Sequence, residues 1–157
     1  MNAKVELSGD TDAHWQPDET LCETWIDAAL ACAGKHGHCV VSVRFVDESE
    51  SIAINCEYRG KNSASNVLSF PANIPGDMSS LHEFELLGDI VLCPKIVAEE
   101  ADSQGKSLAS HWAHLLIHGL LHLLAYNHQS PDDTEVMEAL EIEALERLGI
   151  PNPYLLV

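Results

Sequence analysis

One segment constrains the fold more than any other: Ser107 to Ala125, SLASHWAHLLIHGLLHLLA. Its histidines, His111, His114, His118 and His122, stand 3, 4 and 4 residues apart, so on a helix all four line one stripe. Around them Trp112, Leu115, Leu116, Ile117, Leu120, Leu121, Leu123 and Leu124 are apolar. Such a helix is hydrophobic on most sides and belongs in a core, with its histidines facing a cleft or a site. Each imidazole carries a donor and an acceptor that must be satisfied there. The segment therefore demands a domain around it and polar partners for its stripe.

A chain of 157 residues can supply one domain with a sizeable core, and 1–157 reads as a single domain. The apolar share of 46 % argues for a folded globule rather than a disordered acidic tail. Against 8 Lys and Arg stand 25 Asp and Glu, a formal net charge of −17. That excludes a basic wrapper of nucleic acid. A phosphate-bearing partner would have to be met by a local cation cluster or a metal, against an unfavourable overall field. The cysteines, at 22, 32, 39, 56 and 93, include no C-x-x-C pair and suit neither a disulfide framework nor a thiolate zinc knuckle. MNAKVELSGD has no apolar signal core, and no apolar run approaches the roughly 20 residues of a spanning helix. A soluble, cytoplasmic protein with reduced thiols and no membrane partner is expected.

Lys4 to Leu7 alternates like a short strand that Gly9-Asp10 would end. Pro17-Asp18-Glu19 opens a helix whose Leu21, Trp25, Ala28, Ala29 and Cys32 share a face, and Gly34 stops it. Cys39 to Val46 (CVVSVRFV) is the clearest strand. Asp47, with Glu50 three residues on, resembles a capping box for a helix over Glu48 to Tyr58 that turns Ile52 and Cys56 inward. Asn66 to Phe70 and Leu86 to Cys93 read as further strands, the second with Gly88 as a bulge; Pro75, Gly76 and Asp77 between them mark a loop. Pro94 begins a helix that Gly105 breaks. The last helix runs from Pro131 to Leu148 with Val136, Met137, Leu140 and Leu145 inward. Strands followed mostly by helices imply an α+β (α/β-like) domain, a small mixed sheet of about four strands packed with about five helices.

His118 and His122, at i and i+4, place two ring nitrogens about one turn apart, and His128 follows six residues later. H-x-x-x-H-x-x-x-x-x-H is the spacing of the metzincin zinc ligands. Three protein ligands with an open fourth side make a catalytic rather than a structural arrangement. The spacing thus points to a first-row divalent cation on His118, His122 and His128. His111 and His114 cannot complete that triangle and are read as supporting or packing side chains. Peptide hydrolysis fits poorly, because residue 119 is Gly where the metalloprotease carries its Glu general base.

HGLLHLLAYNH, Gly119 included, resembles the H-G-x-L-H-L-x-G-Y-D-H signature of the YbeY family of metal-dependent ribonucleases. Tyr58-Arg59-Gly60-Lys61 and Ser65 to Pro71 (SNVLSFP) are similar to that family's Y-R-x-K and T-[ND]-V-L-S-F-P blocks, and Leu87-Gly88-Asp89-Ile90 to its third block. Order and spacing agree over roughly Val41 to Leu148. The resemblance implies a four-stranded sheet packed with helices, one zinc ion (Zn2+) on His118, His122 and His128, and single-strand endoribonuclease activity. It further implies maturation of the small-subunit rRNA 3′ end, ribosome quality control and an important arginine at Arg59. The partners it implies are single-stranded RNA, rRNA above all, and the ribosome or ribosomal subunit proteins; DNA is not expected. Two positions depart from the pattern. Ala125 replaces a glycine and is strained if that position needs φ > 0. Asn127 replaces the aspartate before His128, keeping an acceptor but losing a charge.

Arg59 and Lys61 are the only close pair among the basic residues, and the family blocks suggest that they lie by the metal. An arginine can bind a phosphate bidentately and offset charge developing on it while the cation activates water. Attack by the substrate's own 2′-OH is the alternative route. Asn66 and Ser69 have weaker claims, and Asp89 is read as packing or as a brace for the metal helix. Seven acidic residues between Asp132 and Glu146 fit the solvated face of the last helix, a surface suited to a basic protein rather than free RNA. The competing readings are a ribosome-assembly or binding factor with a mainly structural zinc, and a metallohydrolase of another substrate.

Overall fold

The β-branched segments of the chain form four strands: β1 (Ala3–Ser8), β2 (Cys39–Phe45), β3 (Val67–Pro71) and β4 (Glu85–Leu92). In the computed structural model, which describes residues 3–9, 14–72 and 84–154, they build one sheet of order β1-β2-β4-β3. β1, β2 and β4 run parallel and β3 is antiparallel at the edge. Five helices accompany them among the described residues: α1 (Glu19–Cys32), α2 (Glu48–Arg59), α3 (Pro94–Gln104), α4 (Leu108–Leu123) and α5 (Pro131–Arg147). This is the mixed α+β sheet that the element order implied. Pro75, Gly76 and Asp77, and Asp10 after β1, lie outside the described residues.

The histidine-bearing helix is the axis of the core. α4 touches α1, α3 and α5 as well as β3 and β4, and Trp112, Leu116, Ile117, Leu120 and Leu121 are fully buried along it. Each such aliphatic side chain contributes about 1.5–3 kcal/mol relative to exposure. The bulge expected at Gly88 is present, as the β2–β4 register slips between Val40 and Val41. Gly88 has φ 140°, and a Cβ there would come within 2.3 Å of the Phe70 carbonyl oxygen on β3. Only glycine lets the edge strand close at that point.

Three helices turn differently from expectation. On α1 the buried face is Cys22, Trp25, Ile26, Ala29 and Leu30, with Leu21, Ala28 and Cys32 at its margin. On α2 the inward residues are Ser51 and Asn55, while Ile52 is half-buried and Cys56 exposed. The reason is hydrogen bonding rather than apolar burial. Ser51 Oγ donates to the Ser65 carbonyl (3.0 Å) and accepts from its amide (2.9 Å), and Asn55 Nδ2 donates to the Ser63 carbonyl (2.8 Å). α2 thus anchors the strap that leads into β3. On α5 Val136 is exposed and Glu141 is fully buried. Glu141 is one of the seven acids assigned to the solvated face, yet it falls between Met137 and Leu145 at helical spacing on the core side.

Candidate metal centre

Ser107 caps α4 by accepting from the Ser110 amide (3.1 Å), and the helix then runs close over β3 and β4. A Cβ at residue 119 would stand 2.9 Å from Ile90 Cγ2 and 3.1 Å from Val67 Cγ2. Ser69 Oγ donates to the Gly119 carbonyl at 2.8 Å, tying the edge strand to the helix. Position 119 therefore faces the sheet, where a glutamate would have neither room nor access to substrate. Gly119 is required by packing.

After α4 the chain turns back sharply. Ala125 has φ 75°, the only positive φ outside glycine among the described residues, so the strain that its replacement of glycine raised is real. Asn127 Oδ1 accepts from the Gln129 amide (3.1 Å). Its acceptor shapes the turn that presents His128 instead of orienting a ring. His122 Nδ1 donates to the Tyr126 carbonyl (3.0 Å), and His118 Nδ1 donates to Glu141 Oε2 (2.5 Å). Both rings are thereby set with Nε2 unprotonated and turned inward. His118, His122 and His128 converge, each offering a ring nitrogen within 4.8 Å of the others.

This donor set fits a divalent cation. The Nε2 atoms of His118 and His122 are 3.0 Å apart, and two lone pairs at that distance repel unless something positive lies against both. Burial, with the neighbouring His118 and His128 rings, pushes the His122 pKa down, which keeps the ring neutral, as a metal ligand must be.

Behind the triad lies a carboxylate that sequence reasoning missed. Glu141 is fully buried and is hydrogen-bonded by His118, by His114 Nε2 at 3.3 Å and by the Tyr154 hydroxyl. Burial raises its pKa, but the hydrogen bonds from His114, His118 and Tyr154 outweigh it and hold the carboxyl at about 2. A carboxylate on the outer nitrogen of a metal-binding histidine fixes its tautomer and raises its basicity. The one sequence signal was an acid at i+4 from Met137 and i−4 from Leu145, inside an apolar stripe. His114 is thus a supporting residue. His111 is another, buried and bonded through Nε2 to Glu100 Oε1 (3.0 Å).

The triad opens into a cleft of about 660 Å³ whose walls include Arg59, Asn66, Ser69 and Tyr126. Arg59 ends α2, where Gly60 at φ 69° closes the helix. Its guanidinium is exposed and makes no ion pair among the described residues. Lys61 is exposed but does not line the cleft, so the expected basic pair contributes one residue. Asp89 does not brace the metal helix. It is exposed and lines a separate cavity with Ser42 and Phe70, because its neighbour Ile90 takes the position against Gly119.

Comparison with known proteins gives the family of the chain. The sequence profile of the family described as Endoribonuclease YbeY matches residues 7–149. The chain is 46 % identical over 151 residues to the protein of that name from Pseudomonas putida, covering 96 % of this chain and 92 % of that one. Identity is again 46 % over 151 residues with its namesake from Alcanivorax borkumensis, covering 96 % and 85 %. A solution structure from Thermotoga maritima shares the fold, with TM-score 0.57 at 24 % identity over 92 % of this chain and 91 % of that one. On the sequence match along nearly its whole length, this chain belongs to the YbeY endoribonuclease family.

Proposed function

We propose that this protein is a zinc-dependent endoribonuclease that cuts single-stranded RNA, acting in rRNA processing at the small-subunit 3′ end and in ribosome quality control. The observation that carries this reading is the convergence of three imidazoles on the cleft that holds the Arg59 guanidinium, which makes no ion pair among the described residues. One zinc ion per chain is assigned to His118, His122 and His128. When bound, it supplies a Lewis acid that polarises a phosphoryl oxygen and makes water more acidic. Arg59 takes a non-bridging phosphate oxygen pair and offsets the charge that grows on it. In a chain of net charge −17, it and the triad are the anchors for a phosphodiester. Glu141 keeps the His118 proton on Nδ1, and the Tyr126 carbonyl does the same for His122.

A cytoplasmic site of action belongs to this reading, and no helix among the described residues is long and apolar enough to cross a membrane. The remaining acids of α5 are assigned to a basic ribosomal partner. The experiment pairs the protein with His122→Ala: zinc content by elemental analysis, then cleavage of a single-stranded RNA by both. One zinc lost together with cleavage supports the reading. An intact, zinc-loaded protein that cuts no RNA overturns it in favour of an assembly factor.

A further inference from the structure

Asn66 stands where the strap enters β3, its backbone carbonyl held by the Cys93 amide (3.2 Å), and its side chain lines the cleft. Asn66 Nδ2 donates to both carboxylate oxygens of Glu100, at 3.0 and 3.3 Å. Glu100 Oε1 also accepts from His111 Nε2 at 3.0 Å, and His111 is buried in α4. An ionised carboxylate only accepts, so the direction of the amide is set. Its NH2 end faces Glu100, and turning it over would put a carbonyl against a carboxylate. Oδ1, at the other end of a side chain that lines the cleft, has no partner among the described residues and is not sealed from solvent.

We propose that Asn66 reads the substrate, its Oδ1 accepting a hydrogen bond from a donor on the RNA, with Glu100 and His111 as the positioning residues that hold it in that sense. This rests on the nuclease reading above. An oxygen without a proton cannot hold a phosphate, so Asn66 is set apart from Arg59: one residue takes the backbone charge and the other a donor. Single-stranded RNA offers such donors as the ribose 2′-OH and as base amino or imino groups. The 2′-OH would make Asn66 a discriminator between RNA and DNA.

The test uses the zinc-loaded protein and a panel of short single-stranded RNAs as competitors of cleavage. Each carries one 2′-deoxy position or one base exchanged for uracil, and inhibition constants are read for wild type, Asn66→Ala and Glu100→Ala. Wild type is expected to bind one panel member roughly 5- to 20-fold more weakly than the parent, the worth of one hydrogen bond to a substrate group. Asn66→Ala should bind the parent RNA that much more weakly and no longer distinguish that member. Its zinc content should be unchanged. Glu100→Ala should lose the same discrimination, and the double variant should be no worse than Asn66→Ala. A 2′-deoxy member identifies the sugar as the donor, and a base-exchanged member the base. If Asn66→Ala does not fold, Asn66→Ser, which keeps a polar atom without the reach, serves in its place. Wild-type discrimination that survives in the Asn66 variant overturns the inference alone. A wild type that neither binds nor cuts any RNA overturns the nuclease reading and this inference with it.

Discussion

Glu100 and Glu141 grip the same helix from two sides and do different things. Each carboxylate accepts from a histidine of α4, His111 for Glu100 and His118 for Glu141. Glu141 has a side chain 1 % exposed and is bound by three neighbours, one of them a residue of the triad. Glu100 has a side chain 32 % exposed, and its second partner, Asn66, is a wall of the cleft. Both are held ionised against burial by the hydrogen bonds they receive. The contrast teaches that depth decides the consequence of losing such a group. At the bottom of the core the loss leaves hydrogen-bond donors without an acceptor or water, whereas at the margin water can enter.

The largest effect expected from breaking this contrast is Glu141→Ala. It leaves His114, His118 and Tyr154 without their acceptor, which at about 1–3 kcal/mol for each buried donor left unsatisfied is a destabilisation of several kcal/mol in chemical unfolding. Glu141→Gln should fold and bind zinc roughly 10- to 100-fold more weakly in a competition titration. Full zinc affinity in that variant would strip Glu141 of its positioning role. Arg59→Ala, which touches neither carboxylate, should cut RNA about 100- to 1000-fold more slowly with zinc content unchanged. Loss of the metal instead would refute its assignment as a phosphate anchor.

Glu100→Ala should cost less than its buried counterpart, about 1–3 kcal/mol for the donors left behind. Equal losses for the two alanine variants would erase the distinction by depth. Acid titration sharpens it further. A carboxyl whose folded pKa lies below its ordinary 4.5 stabilises the fold above that value, and this stabilisation drains away as pH falls toward the folded pKa. For Glu141 the window runs from 4.5 down to about 2. Unfolding of the metal-free protein should therefore steepen on acidification below 4.5, and Glu141→Gln should flatten that limb more than Glu100→Gln. The smallest effect is Ala125→Gly, which relieves φ 75° and should raise stability by roughly 1 kcal/mol.

Much of the site is legible in the amino-acid sequence, because its elements are local. The stripe of α4, the i, i+4 pair and the trailing His128 need only helical periodicity and a short turn, and the triad converges as that spacing implies. Gly88 announces a bulge because backbone sterics act within a residue, while the question of a positive φ at Ala125 came from the glycine that the family pattern has there. Where sequence and structure part, two distant segments have to meet. Ser51 and Asn55 displace Ile52 and Cys56 because a strap some ten residues away in sequence brings its backbone to α2. Asp89, read as packing or as a brace for the metal helix, is exposed, and that side of β4 goes to Ile90.

The sequence by itself determined the helix, the three imidazoles on its open side and the chemistry they favour, since period and donor type are properties of neighbouring residues. Only the tertiary structure decided which acids stand behind the cleft. Glu141 comes to His118 across 23 positions, and Glu100 to Asn66 across 34. The spacing of Glu141 from Met137 and Leu145 marks it for the core side of its helix, but not which donors it meets there. Proximity to a hydrogen-bond donor, which no local pattern encodes, turned two of the acids into the supports of the site.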